Sequence, residues 1–414
     1  MVRLAREGSR QTLIHDWNPT CAGNGKAGGA VTVVDETLCV GRQLPQVLAA
    51  TETTKLSLLI HMAALGIRTV HVGRPVASDQ ACEAVVSLCT TIRAHALPLD
   101  VCCECGPDVR NVERIAALTQ RLGLPLEVVL AFDSRSWGRR LRDVEAAVAV
   151  AVALGLRVTC LLEDASTTSP SVLGAAATAA LAKGASRLCL GDGAGDTTPE
   201  GIQGLVEHTT AVVRSARTVA AIDFRGRSRR GLALENALAA IQAGANRVWG
   251  SALGSSLLGH NVPMELVLAN LALSGQIELP DARALFGYCH GVAAAVGRQI
   301  PLNYPLVGRD AFRTATGVHA AAIDKAMRNG DEQLADDIYS SVPATKLGRK
   351  QEICIGPMSG ASNVTSFLRQ RNVTPSGPLV DAILEEAKGT SQILEEAAVA
   401  ALVAKLAGST GTIV

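Results

Sequence analysis

The chain has 414 residues, a formal net charge of +1, and 19% charged residues, so no broad field draws it to nucleic acid or an anionic membrane. Hydrophobic residues reach 48% while aromatics are only 3%, the mix expected when strands are buried on both faces under a coat of helices. The longest apolar run, 146–156 between Glu145 and Arg157, is too short to span a bilayer, and residues 1–28 lack the apolar core of a secretion signal; a cytoplasmic protein is expected.

After an N-terminal extension (1–28), short runs rich in valine, isoleucine and leucine recur about every thirty residues, each followed by a helical pattern. They are Val31–Asp35, Thr69–Gly73, Asp100–Cys103, Leu126–Phe132, Val158–Glu163, Arg187–Asp192, Val219–Phe224 and Arg247–Ser251. Between the first two, Leu56, Leu59, Ile60 and Ala63 make one apolar helical face, closed by Gly66. Strand–helix units in series need crossover connections and a parallel sheet, and eight of them usually close as a (β/α)8 TIM barrel, here expected over 29–275. A doubly wound open sheet is the alternative, although no glycine-rich dinucleotide fingerprint follows the first strand. Beyond the barrel a helical C-terminal subdomain is expected over 276–372, and further helices over 373–414.

The eleven cysteines are scattered, and in a cytoplasmic chain they read as small reduced hydrophobes. Cys102, Cys103 and Cys105 are clustered, but successive strand residues point to opposite faces, which sets the trio against converging on one ion.

In a parallel barrel the active site lies where strands end and loops begin. Those ends carry Asp35-Glu36, Arg74, Glu104, Asp133, Glu163-Asp164, Asp192, Arg225 and Ser251. Mixed acids and arginines suit a small anionic substrate; some of the acids, Asp133 among them, are equally read as caps of the following helices.

The segment Val34-Asp35-Glu36-Thr37-Leu38-Cys39-Val40-Gly41-Arg42-Gln43 resembles the signature Asp-Thr-Thr-Leu-Arg-Asp-Gly-Glu-Gln of the isopropylmalate, homocitrate and citramalate synthase group. Leu162-Glu163-Asp164-Ala165 resembles that group's Pro-Glu-Asp-Ala. Asp192 through Thr198-Pro199 resembles its Ala-Asp-Thr-Val-Gly-x-x-Thr-Pro, Gly317-Val318-His319 its Gly-Ile-His, and 348–364 its closing element. The similarity spans roughly residues 30–372.

The resemblance implies a Claisen-type condensation of an acyl-CoA with a 2-oxo acid, in which a divalent metal polarises the ketone. It also implies a homodimer. The group's metal ligands, an Asp and the two histidines of His-x-His, are matched here by Val40, Arg225 and Arg227, and its catalytic arginine by Cys39. Valine cannot ligate a cation and guanidinium offers no lone pair, so no divalent metal is expected.

Two functional readings stay open. In one, an enzyme uses Arg225 and Arg227 in place of the metal to bind carboxylate or oxyanion. His319 transfers a proton, Glu163 orients it or acts as base, and Asp35, Glu36, Gln43 and Thr198 shape the pocket. Cys39 is then either a nucleophile with a lowered pKa or a filler. Acyl-CoA would be a substrate rather than a resident cofactor. In the other, the barrel has lost catalysis and binds a ligand or a protein partner. The arginines themselves can equally be read as salt-bridge partners of Asp223, Glu36 or Glu163.

Overall fold

The computed structural model describes residues 30–39, 50–133, 137–256, 260–340 and 342–409. Eight parallel strands close on one another in chain order. They are β1 (Thr32–Asp35), β2 (Thr69–His71), β3 (Asp100–Cys105), β4 (Leu126–Asp133), β5 (Arg157–Glu163), β6 (Arg187–Asp192), β7 (Ala221–Gly226) and β8 (Arg247–Gly250). The closing register pairs Val34 with Trp249 and Asp35 with Gly250. The helices of the repeat are α1 (Glu52–Ala64), α2 (Asp79–Ala94), α3 (Val109–Leu122), α4 (Trp137–Ala153), α5 (Pro170–Ala182), α6 (Pro199–Ser215), α7 (Ala233–Gln242) and α8 (Met264–Leu273). The expected TIM barrel is therefore the observed architecture.

Helix α3 shows why each strand is followed by a helix. Val112, Ile115, Ala116, Leu118 and Leu122 are buried at helical spacing, while Arg110, Glu113 and Arg114 face solvent. Asp108 caps the start, accepting from the Arg110 amide at 2.9 Å, and Gly123 ends the helix in the left-handed region at φ 59°. Each of the large apolar side chains on this face stabilises the fold by roughly 1.5–3 kcal/mol relative to exposure.

Strand alternation divides the sheet into an inner and an outer set. At the barrel's waist Val34, Cys102, Val129, Leu161, Cys189 and Trp249 pack together, none more than 1% exposed. Of the cysteine trio, Cys102 thus points in while Cys103 and Cys105 take the other face. Burial holds all three thiols up, Cys105 at about 12. The seventh strand starts later than its apolar run suggested: Val219 is fully exposed, and the strand reaches Gly226, so Arg225 lies inside it.

The chain divides into two compact units, 1–299 and 300–414. The first continues past α8 because α9 (Ala284–Val296) packs against α1. The second unit, taken by itself, holds a two-stranded sheet of β9 (Arg313–Thr314) and β10 (Glu352–Ile353). Around it lie α10 (Gly317–Arg328), α11 (Glu332–Asp337), α12 (Ala361–Arg369), α13 (Gly377–Gly389) and α14 (Glu396–Ser409). Its core gathers Ile355, Val364, Phe367, Leu368, Ile383 and Val399. No helix among the described residues is long and apolar enough to cross a membrane.

Candidate functional site

Asp223 and Arg225 at the inward positions of β7, and Arg227 just past its end, run from the floor of the barrel to its mouth. At the floor, Asp223 accepts from Arg187 Nε at 2.8 Å, Arg247 Nε at 2.7 Å and Trp249 Nε1 at 3.0 Å. Arg247 also donates to Glu127 at 2.6 Å. Burial pushes the Glu127 carboxyl up, but the bonds and charge of Arg247 outweigh it and hold the group below the usual carboxylate range.

One layer higher, the Arg225 guanidinium bridges Glu36 and Glu104, donating to Glu36 Oε2 and, at 3.2 Å, to Glu104 Oε2. Its carbon stands 5.0 Å from the centre of the Trp249 ring, a cation–π separation. Arg225 is only 5% exposed, Glu36 2% and Glu104 0%. Burial raises the Glu36 carboxyl, yet the positive charges of Arg225 and Arg227 bring it below its ordinary value. Arg74 adds a second cation to Glu104 at 3.6 Å.

Arg227 sits beyond the end of β7 and is half-buried. Its Nη1 donates to Ser256 Oγ at 2.9 Å and to Asn261 Oδ1. The loop after β6 presses on this corner: a Cβ on Gly195 (φ +63°) would stand 2.6 Å from the Arg227 carbonyl oxygen. Asn261 in turn donates to Glu36 Oε1 at 2.8 Å and to Ser251 Oγ at 3.3 Å.

The other sequence candidates are spread over different settings. Glu163 ends β5, half-buried, in the inward set with Leu161. Asp35 belongs to the outward set; it is 1% exposed and accepts from the Thr37 amide at 2.8 Å and from the Tyr288 hydroxyl on α9. Burial outweighs those bonds and pushes its carboxyl up to about 6. Cys39 is fully buried, its amide bonded to the Glu36 carbonyl at 3.1 Å. Thr198 caps α6, its Oγ1 accepting from the Gly201 amide at 3.3 Å. Gln43 and Val40 lie outside the described residues.

His319 is carried by the second unit, on α10, where its ring stacks on Tyr339 at 3.8 Å and 23°. It lines a cavity of about 280 Å³ with Phe312, Arg313, Ile323, Tyr339 and Gln351.

Glu104 was named only as a strand end, without a role, and two further residues were not among the candidates: Asn261 at the mouth, and Tyr288 on α9 behind Asp35. Glu104 had a signal, a carboxylate inside the otherwise apolar strand Asp-Val-Cys-Cys-Glu-Cys, where only an inward cation could hold it. Asn261 and Tyr288 had none, because the carboxylates they bond, Glu36 and Asp35, lie more than 200 positions away in sequence.

This donor set does not suit a divalent cation. Positions 225 and 227 present guanidinium groups, which donate and never ligate, and the carboxylates Glu36 and Glu104 are already bridged by Arg225. Among the described residues no group of three or more histidines, cysteines or acids converges as a cation site.

A closed parallel barrel with mixed acids and arginines at the carboxyl ends of its strands defines the class, a TIM-barrel protein whose candidate site is the mouth. Residues 30–284 match the HMGL-like family model, and the chain belongs to that family. It is 27% identical to a 2-isopropylmalate synthase of Solidesulfovibrio magneticus over 80% of its own length, and spans 64% of the length of that relative. To a homocitrate synthase of Frankia alni it is 28% identical, over 83% of this chain and 95% of that one. The solved hydroxymethylglutaryl-CoA lyase of Pseudomonas aeruginosa shares the fold, with a TM-score of 0.53 and 18% identity over 65% of this chain and 94% of the lyase.

Proposed function

We propose that this chain is a metal-independent member of its family that binds a small 2-oxo acid at the barrel mouth and makes or breaks a carbon–carbon bond beside it. The observation that carries this reading is the division between the two arginines. Arg225 is a resident cation, bridging two buried carboxylates. Arg227, nearer the rim, donates to neutral oxygens of Ser256 and Asn261. A carboxylate can replace such partners, because it adds the attraction of a full negative charge to the hydrogen bond that a neutral oxygen accepts from the same guanidinium.

In the synthase direction a base removes a proton from the carbon next to an acyl thioester. That carbon's electron pair attacks the ketone carbon of the 2-oxo acid, and the ketone oxygen takes up the displaced pair and then a proton. Water afterwards cleaves the thioester to acid and thiol. Arg227 would hold the developing oxyanion, the role a Lewis acid fills elsewhere. Glu163 is the acid–base candidate carried by the barrel and His319 the one carried by the second unit.

The test is thermal shift and turnover with pyruvate, 2-oxoglutarate and acetyl-CoA, in EDTA. Stabilisation by a 2-oxo acid that EDTA leaves intact and Arg227→Ala removes supports the reading; stoichiometric zinc, manganese or magnesium in the purified protein overturns it. A second reading, a catalytically silent binding module, is favoured by the near-complete burial of Arg225, which leaves one guanidinium group rather than two at the rim. Binding of the acid without turnover of acetyl-CoA would select it. A homodimer, implied by the family resemblance, is checked by mass in solution.

A further inference from the structure

Asn261 is 2% exposed and stands between an acid and a base. Its Oδ1 accepts from Arg227 Nη1, while its Nδ2 donates to Glu36 Oε1 at 2.8 Å and to Ser251 Oγ at 3.3 Å. The backbone is fixed as firmly: Asn261 forms an antiparallel bridge with Arg227, and its amide donates to the Gly254 carbonyl at 2.8 Å. Gly254 is held at φ +59°, where an added Cβ would stand 2.8 Å from the Asn261 carbonyl oxygen, so a side chain there would dislodge this segment.

An amide offers an acceptor to a guanidinium and a donor to a carboxylate at once, and it stays uncharged at every pH. The neighbours leave no choice of orientation, since the flipped amide would set its NH2 against Arg227 and its oxygen against Glu36. We infer that Asn261 is a positioning residue that stands between Glu36 and Arg227, so that Glu36 bonds directly to Arg225 while Arg227 bonds to the oxygens of Ser256 and Asn261, which an incoming carboxylate can replace. It acts as a neutral spacer that makes the two arginines unlike. The ligand half of this inference rests on the reading that the mouth binds a 2-oxo acid; the spacer half does not.

Asn261→Asp separates the two halves. The protonated acid is isosteric with the amide, its carbonyl accepting from Arg227 and its hydroxyl donating to Glu36. Once ionised, it pairs with Arg227 and repels Glu36. With Glu36 and Arg227 offsetting each other, burial is left to raise the new carboxyl above its unfolded value, so stability is retained at low pH and lost as pH rises through that group's titration.

Urea unfolding of Asn261→Asp without ligand should match the parent protein at pH 4 to 5 and fall progressively below it towards pH 8. A deficit independent of pH, or no deficit, overturns the spacer role. Glu36→Gln with Asn261→Asp keeps the net charge and removes the repulsion, and should recover part of the loss; no recovery counts equally against it. It also serves if the single variant does not fold.

In the ligand arm, thermal shift by pyruvate and 2-oxoglutarate should weaken at least tenfold in Asn261→Asp at pH 8 and return towards parent strength on acidification. If the parent protein binds neither acid, the 2-oxo-acid reading fails while the urea profile still decides the spacer. If it binds them and Asn261→Asp binds equally at every pH, the inference fails and that reading stands.

Discussion

The barrel carries a charged network at each end, and the two are built to different rules. At the floor, Asp223 and Glu127 face Arg187 and Arg247, with the Trp249 indole closing the set. At the mouth, Glu36 and Glu104 bond to Arg225, Arg74 approaches Glu104, and Asn261 passes the chain of bonds from Glu36 on to Arg227. Trp249 lies between the two networks, 5.0 Å from Arg225 and 5.7 Å from Arg247. A network that only supports a fold can be closed; one that exchanges partners with a solute must include a cation held by weaker acceptors. The mouth has that grading, from a guanidinium bridging two carboxylates to one on a hydroxyl and an amide.

Breaking the floor should cost the most. Asp223→Asn replaces a carboxylate serving two arginines and an indole by a group that turns an NH2 towards one of them. Leaving buried guanidinium groups short of an acceptor costs about 3–5 kcal/mol. Urea unfolding should show that loss with little dependence on pH above 5. A change under 1 kcal/mol would mean that the floor admits water and is no more closed than the mouth.

Arg225→Met comes next, at about 3 kcal/mol near neutral pH, because the thioether still packs on Trp249 while Glu36 and Glu104 lose their bridge. The pH dependence has a definite sign. In the parent protein the lowered Glu36 pKa contributes stability that is present above the unfolded value and lost as pH falls through the folded one. Without Arg225, burial dominates and Glu36 shifts upward, so its contribution falls as pH rises. The gap between the two proteins should therefore widen from pH 4 to pH 8. A constant gap would reduce Arg225 to a packing residue.

The eightfold repeat was legible because it is local: each strand and its helix declare themselves within about thirty residues. Parity along β7 also made Arg225 and Arg227 inward residues, given a strand that runs through them. Which of the two would be saturated was not legible. Glu36 lies 189 positions from Arg225 and Asn261 lies 225 from Glu36, so only barrel closure brings them together. Asp35 and Glu36 read alike as a mouth pair, yet one-residue alternation sends Glu36 to the arginines and Asp35 outward to Tyr288 on α9. The sequence suggested the salt bridge from Arg225 to Glu36 as one possibility among three; the one from Glu104 was missed, since nothing aligned it with β7.

Asp35 extends the comparison outside the barrel, as a buried acid whose named partners, Thr37 and Tyr288, are neutral donors. Burial pushes its pKa to about 6 in spite of those bonds, and the neighbouring Glu36 charge adds to the rise. A folded value above the unfolded one means a contribution fully present below about pH 4 and lost as pH climbs through about 6. Asn can accept from the Thr37 amide and donate to the Tyr288 hydroxyl without carrying charge. Asp35→Asn should therefore be more stable than the parent protein at pH 8, on the order of 1–3 kcal/mol, and indistinguishable from it at pH 4. A less stable variant at pH 8 would show that ionised Asp35 gains more from its two donors than burial costs it. Neutral donors alone would then suffice for a buried carboxylate, and the arginines at floor and mouth would need another reason to be there.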